Sequence, residues 1–457
     1  MGSRDMKVCF VAPYAYTLFN SSRHFPFGGL EVQAHILATG LAAHQGFDVN
    51  FVVFDHGQAE SEEIAGVTVT KYRPTKFRPA TNFLWPSMLG KGIATSTGRV
   101  LSLRRKWATR PIYHAIMAVQ SVIDASRALR LSLGTLLEWL AYPRLWEGGL
   151  SVYYQHPNRV ETYRNINADI YIGFGASELM AELAAFCNSS KKKFILFGAS
   201  DSDFDDSYVP HSNIRNYYGC RGGHCYFSLV SADHIVVQND LQEKAAREHF
   251  GQQATIILNP IDLSLQPNAE RPRAERDVIF WIGKADIVKQ PLLVFEIAKA
   301  CPDLHFLMVV NPNRPEIEEK IATQQPGNVE ILQKISRADV PAALERSILL
   351  LNTSLFEGFS NAMLEAFRAG TPVVSLTADP NNVIETWGCG RILNGDFAGM
   401  VAAVRSLVAD EPTWKSASDA ARAYVARHHA TDVIVDQLIG VIGQVLEEAA
   451  GLRPLQA

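Results

Sequence analysis

Long apolar runs are missing from this sequence. No stretch of its 457 residues approaches the ~18 consecutive apolar positions that a membrane span needs. The charged-then-apolar pattern of a secretory signal is missing too, and residues 1–5 read as an appended tag before a native Met6. Cysteine is scarce: six residues in a chain of this length exclude a disulfide scaffold and lead us to expect a reducing cytoplasm. There is no large excess of charge of either sign. The 43 Lys and Arg against 47 Asp and Glu leave a net charge of −4, which argues against a nucleic-acid partner. What is present, 47% hydrophobic residues over a length of two or three ordinary domains, can fill a core in each.

The chain is organised by short apolar runs rich in β-branched residues. Residues 7–12 read as a strand, Gly28 and Gly29 as a loop, and the apolar positions Leu30, Ala34, Leu37, Ala38 and Leu41 as a helix. Residues 47–54 resume strand character, so the chain opens as a βαβ unit. Further strands are expected at 170–173, 193–197, 234–238 and 255–258, with a helix over 178–187. A polar stretch carrying Pro267 and Pro272 predicts a linker over 263–276, after which strands recur at 278–283, 305–310, 329–332, 348–352 and 371–376. The expected architecture is α/β, with two doubly wound Rossmann-like domains facing a central cleft. They span residues 6–262 and 277–430, and a terminal helix over 431–457 has no assigned packing partner. Open sheets of this kind bind ligands at the carboxyl ends of their strands.

One stretch differs from the rest. Between residues 71 and 144 there are thirteen Lys and Arg but only two acids, Asp124 and Glu138, with Trp85, Trp107 and Trp139 among them. It reads as a helical, basic insertion in the first domain (about 76–165), suited to peripheral contact with an anionic membrane or to a polyanionic acceptor.

The strongest chemical signal is Phe356-Glu357-Gly358-Phe359-Ser360-Asn361, followed by Glu365 on an apolar helix and by Gly370-Thr371-Pro372. Helix N-termini offer unpaired N–H groups to a phosphate, and Glu357 and Glu365 would flank it, one toward a sugar and the other toward a ribose. As an isolated pair, the same glutamates would read as a cap and a solvated helix residue. Gly283-Lys284 and Lys289 supply two cations near a second loop, and Gly28-Gly29 allows close backbone approach to a phosphate or sugar. Glu178, Asp201 and Asp203 follow two of the first-domain strands and are candidates for gripping acceptor hydroxyls. Cys220-Arg-Gly-Gly-His-Cys225 has too few ligands for a closed zinc site and reads as free thiols in a glycine loop.

Taken in order, these segments resemble the retaining GT-B glycosyltransferases of the group-1, or family-4, type. Glu357…Glu365 is similar to their E-x7-E signature, and Gly283-Lys284…Lys289 to their pair of diphosphate-holding cations. Gly28-Gly29-Leu30-Glu31 resembles the Gly-Gly-x-Glu loop across the cleft, and Asn259-Pro-Ile-Asp262 the turn that ends the first domain. The resemblance implies a nucleotide-diphosphate sugar as donor, with no separate cofactor and no metal. It also implies a saccharide or lipid-linked acceptor, and a role in polysaccharide or glycolipid assembly. It assigns catalysis to Glu357, Lys284 and Lys289. It assigns donor binding to Gly28, Gly29, Gly283, Lys284, Lys289, Phe359, Ser360, Asn361 and Glu365. Three positions depart from the family: Lys284 stands for arginine, Val288 for an acid and Gln290 for glycine. A family histidine after the strand at 170–173 is replaced by Phe174-Gly175-Ala176-Ser177-Glu178. The alternatives are a nucleotide-sugar epimerase of the same fold or a non-catalytic sugar-nucleotide-binding subunit.

Overall fold

The structure, a computed structural model, describes residues 5–22, 27–73, 161–210, 218–265, 271–333, 339–357 and 359–449, with 212, 214–216 and 335 besides. Residues 74–160, which hold almost all of the expected basic insertion, lie outside these, as does His24. Of that basic stretch the description reaches only Lys71 and Arg73. Each already has an acid, Lys71 with Asp55 at 3.0 Å and Arg73 with Glu60 at 2.6 Å.

Two sheets carry the fold. The first has the order β3-β4-β2-β1-β5-β6-β7-β8. Its strands are β1 (Met6–Val11), β2 (Phe47–Val53), β3 (Ser61–Ile64), β4 (Val67–Lys71), β5 (Ile170–Phe174), β6 (Lys193–Phe197), β7 (His234–Val237) and β8 (Ala254–Ile256). All pairings are parallel except the β3–β4 hairpin at the edge. The second has the order β11-β10-β9-β12-β13-β14 and is parallel throughout. It comprises β9 (Val278–Lys284), β10 (Phe306–Asn311), β11 (Val329–Leu332), β12 (Ser347–Asn352), β13 (Val373–Ser375) and β14 (Gly390–Ile392). Central strands such as β5 and β12 are buried along their whole length, because helices cover both faces and alternation is not needed. The strand order reverses between β1 and β5 in one sheet and between β9 and β12 in the other, which are the points where such sheets take ligands.

The chain crosses between the sheets twice, at one place. Ile261 on the way out bridges Ala430 on the way back, and the N–H of Ile261 donates to His429 O at 2.8 Å. His429 is fully buried there. Its Nδ1 bonds Asn259 O at 2.7 Å and its Nε2 bonds the Tyr424 hydroxyl at 3.0 Å, a pattern that a neutral imidazole satisfies. The returning chain then forms the helix Thr431–Ala449, whose Ile434, Val435, Leu438, Val441, Ile442 and Val445 enter the core around β1 and β2. The C-terminal helix therefore packs on the first domain.

The expected linker is shorter than its composition suggests. Arg276 is buried in the second domain, donating to Ser347 O, Thr371 Oγ1 and Ala369 O at 2.9 Å each and lying over the Trp414 ring. A charged residue in a polar stretch reads as exposed. Here its guanidinium fork closes the ends of several elements at once.

Two predictions follow from these positions. Burial pushes the His429 imidazole down to about 4, with the Asn259 carbonyl opposing, so its folded form stays neutral where the unfolded chain would take a proton. Its contribution is complete above the unfolded value near 6.5 and is lost at about 1.4 kcal/mol per pH unit on acidification toward 4. His429→Gln, which cannot take a proton there, is expected to be less stable at pH 7, with denaturation curves that converge on wild type as pH falls to 4.5. A constant gap would contradict it. Gln290 holds a left-handed backbone at φ 47°. Relief of roughly 1–2 kcal/mol of strain against roughly 0.5–1 of added chain entropy makes Gln290→Gly stabilising by up to about 1 kcal/mol, read as a raised denaturation midpoint.

Candidate active site

The second sheet's switch point brings the main charges together. β9 ends in Gly283 and the exposed Lys284, and the loop beyond it turns back to present Lys289. Asp286 shapes this loop by accepting the Lys289 N–H at 2.8 Å, an Asx-type turn. A Cβ on Gly283 would come within 2.8 Å of the Trp281 ring, so the close packing of this corner requires glycine. β12 ends in Asn352, and the loop after it carries Glu357 beside Lys289. The two side chains form an ion pair, and Ser354 Oγ donates to the same Glu357 Oε1 at 2.6 Å. The loops are lashed further by Thr353 Oγ1 donating to Lys289 O at 2.6 Å, Trp281 Nε1 donating to Thr353 Oγ1 at 2.9 Å and Leu355 N–H donating to Val288 O at 2.9 Å. A shallow open recess lies here, lined by Trp281, Lys289, Asn352, Ser354, Glu357 and Ser360 among others.

The helix Asn361–Arg368 begins at the edge of this recess. Ser360 makes no side-chain cap, so the N–H groups of the first turn keep the positive end of the helix open to an anion. Asn361 reaches across to the first sheet, its Nδ2 donating to Gly29 O at 3.3 Å. Glu365 lies a turn further along the same helix, half-buried and within electrostatic range of Arg368. Phe359 has a different place from the one expected. It is buried with its ring 4.9 Å from that of His429, and its carbonyl accepts from Asn259, so it anchors the helix start to the crossover.

On the facing side, Gly28 and Gly29 begin the helix Gly29–Ala42 after β1. The Gly28 N–H is spent on Glu31 Oε2 at 2.7 Å, which fixes the loop and leaves the following N–H groups without an intrahelical acceptor. Burial raises the Glu31 carboxyl above its ordinary range, opposed by the Gly28 N–H and by the charge of Lys284. A Cβ on Gly29 would meet Asn361 Nδ2 at 2.8 Å, so a side chain there would push the Asn361 amide aside.

The three acceptor candidates separate. Glu178 starts the helix Glu178–Ser190 after β5, half-buried, with His224 Nδ1 at 3.4 Å and Arg221 Nε at 3.8 Å from its Oε1; His224 is the main reason its carboxyl lies low. Asp201 accepts from Asn239 Nδ2 and Gln242 Nε2 at 3.1 and 2.9 Å. Asp203 is buried, and its oxygens accept from the N–H groups of Ala176, Ala199 and Ser200, stitching the loops after β5 and β6. Burial raises its carboxyl to about 6 against those donors. Its observed role is structural. The expected glycine loop at Cys220–Cys225 is also corrected: Gly222–Val230 is a helix, and the buried Cys225 thiol donates to Ala176 O. Asp286, Ser354, Thr353 and Trp281 were not singled out from the sequence. The only signal was positional, Asp286 three residues before Lys289 and Ser354 three before Glu357.

Residues 276–410, which contain this corner, match the family model described as Glycosyl transferases group 1. No match was found among curated proteins. The whole chain superimposes on sucrose-phosphate synthase from Thermosynechococcus elongatus, with a TM-score of 0.64 and 12% identity over 97% of this chain and 100% of that one. It is similar to an E. coli trehalose-6-phosphate structure bound with UDP-2-fluoro glucose (TM-score 0.60, 11% identity, 96% and 99% covered). It is also similar to Anabaena HepE in complex with UDP and glucose (0.56, 12%, 96% and 99%). At these identities the likeness is one of fold. The chain has the GT-B fold, and its residues 276–410 carry a domain that matches the group-1 glycosyl transferases.

Proposed function

We propose that the protein is a retaining hexosyltransferase that moves a sugar from a nucleoside-diphosphate donor to an acceptor hydroxyl, in the assembly of a polysaccharide or glycolipid. The observation that carries this reading is the convergence of Lys284, Lys289 and Glu357 at the β9/β12 switch point beside the open start of the helix Asn361–Arg368. Breaking a glycosidic bond to a diphosphate places charge on the leaving oxygens, and two lysines with a helix N-terminus stabilise that charge where it develops. Glu365 suits the ribose hydroxyls and Glu357 those of the transferred sugar. The UDP, UDP-sugar and glucose held by the solved relatives support a nucleotide-sugar donor.

Retention is what the resemblance of Glu357…Glu365 to the E-x7-E signature of retaining enzymes implies. In a front-face transfer the acceptor hydroxyl enters from the side the diphosphate leaves, and its proton passes to a diphosphate oxygen. The acceptor then approaches from the first sheet, where the partly exposed Glu178 is a candidate for holding it. No helix among the described residues is long and apolar enough to cross a membrane. Contact with a lipid-linked acceptor would fall to the basic stretch beyond Arg73.

Anomeric configuration of the first-formed product, followed by NMR with a panel of nucleoside-diphosphate sugars, tests the assignment; an inverted product would overturn retention, and an isomerised donor would favour an epimerase. Lys284→Ala and Lys289→Ala are each expected to lower turnover by roughly two to three orders of magnitude at saturating donor, with thermal stability unchanged for Lys284→Ala and lowered for Lys289→Ala, which leaves the mostly buried Glu357 carboxylate without its partner. Near-normal turnover would make that lysine a surface residue. Glu365→Ala is expected to weaken binding of the free nucleoside diphosphate, measured by calorimetry, because a ribose contact is present in donor and product alike.

A further inference from the structure

In the ligand-free chain, one of the two cations assigned to the leaving diphosphate is already occupied. Lys289 pairs with Glu357, whose side chain is only 12% exposed against 27% for Lys289. Partly buried charges of this kind are screened less than surface pairs. The pair is also held from both sides: Ser354 fixes the carboxylate, Asp286 and Thr353 fix the backbone of Lys289, and Trp281 fixes Thr353. It is the resting arrangement of two loops tied to each other.

A diphosphate approaching Lys289 must displace a carboxylate and then lie beside it, anion against anion. A free nucleoside diphosphate has nothing to offer Glu357 in exchange. A nucleoside diphosphate sugar has hydroxyls that donate to the displaced carboxylate and replace its lost partner. We propose that the Lys289–Glu357 pair makes the site select an intact nucleoside diphosphate sugar over the free nucleoside diphosphate, with Glu357 as the specificity-determining residue. This rests on the donor reading above. The same pair re-forms once the sugar has been transferred, and so favours departure of the spent diphosphate.

The test is calorimetric titration of the full chain with UDP, GDP and ADP and with their glucose and mannose conjugates. Wild type is expected to bind the conjugate of one nucleotide at least tenfold tighter than the free diphosphate. Glu357→Gln keeps the shape and removes the charge. It is expected to bind the free diphosphate about tenfold tighter than wild type does, about 1.4 kcal/mol, with no gain for the conjugate, so that the preference collapses toward one. Ser354→Ala, which loosens the pair, moves the ratio the same way by less. A gain of affinity cannot arise from a poorly folded variant. If wild type binds conjugates but Glu357→Gln binds the free diphosphate no better, the inference is wrong and the donor reading stands. If wild type binds none of the diphosphates or conjugates, the donor reading fails and takes the inference with it.

Discussion

The site depends on how the two sheets are fastened, and they are fastened where the chain crosses twice beside itself. Asn259, Ile261, His429 and Ala430 form that junction, and Phe359 rests on it. Because Asn259 also holds the Phe359 carbonyl, the residues that open the helix Asn361–Arg368 are tied directly to the junction. The helix Thr431–Ala449 then commits the returning chain to the first core. A buried neutral histidine suits this place: one ring nitrogen donates and the other accepts, so two crossing segments are joined without a buried charge.

Charges in the cleft are arranged as opposed pairs. Lys289 meets Glu357 within one domain, and Lys284 acts on Glu31 from the other. Asparagines supply neutral contacts beside them, Asn361 to Gly29 O and Asn381 to Gln238 O at 3.2 Å, each an amide of the second domain donating to a carbonyl of the first. An anionic ligand that reaches Lys289 thus meets a cation that already has a partner, and its binding there is an exchange of partners. That exchange is where a site can tell one diphosphate from another.

Much of this was legible in the sequence. The largely buried strands β1, β5, β6, β9 and β12 appear as apolar runs, and Glu357, Lys284, Lys289 and the Gly28–Gly29 loop fall at the strand ends where the fold puts chemistry. The parts that escaped did so for identifiable reasons. The β3–β4 hairpin is an edge with exposed Ser61 and Glu63, so it lacks an apolar run. Arg276 reads as linker because its burial depends on acceptors about 70 to 95 residues away in sequence. Asp203 reads as a free acid because backbone donors leave no trace in sequence. Ser354 and Trp281 act through contacts made only when two loops meet.

The departures from the family pattern fall where geometry tolerates them. Gln290 takes the left-handed backbone that glycine would adopt without strain, so the Lys289 loop keeps its turn at a cost in stability. Val288 contributes its carbonyl, which accepts from Leu355, and that contact is indifferent to side-chain identity. Lys284 offers a point charge in place of a planar fork, at an exposed strand end where no partner group among the described residues fixes a bidentate angle. What the site does not tolerate is a side chain at Gly283, where the buried Trp281 ring already occupies the space. The constraint on this corner is therefore mainly one of backbone approach, and the motif survives because its glycines and its two loop contacts do.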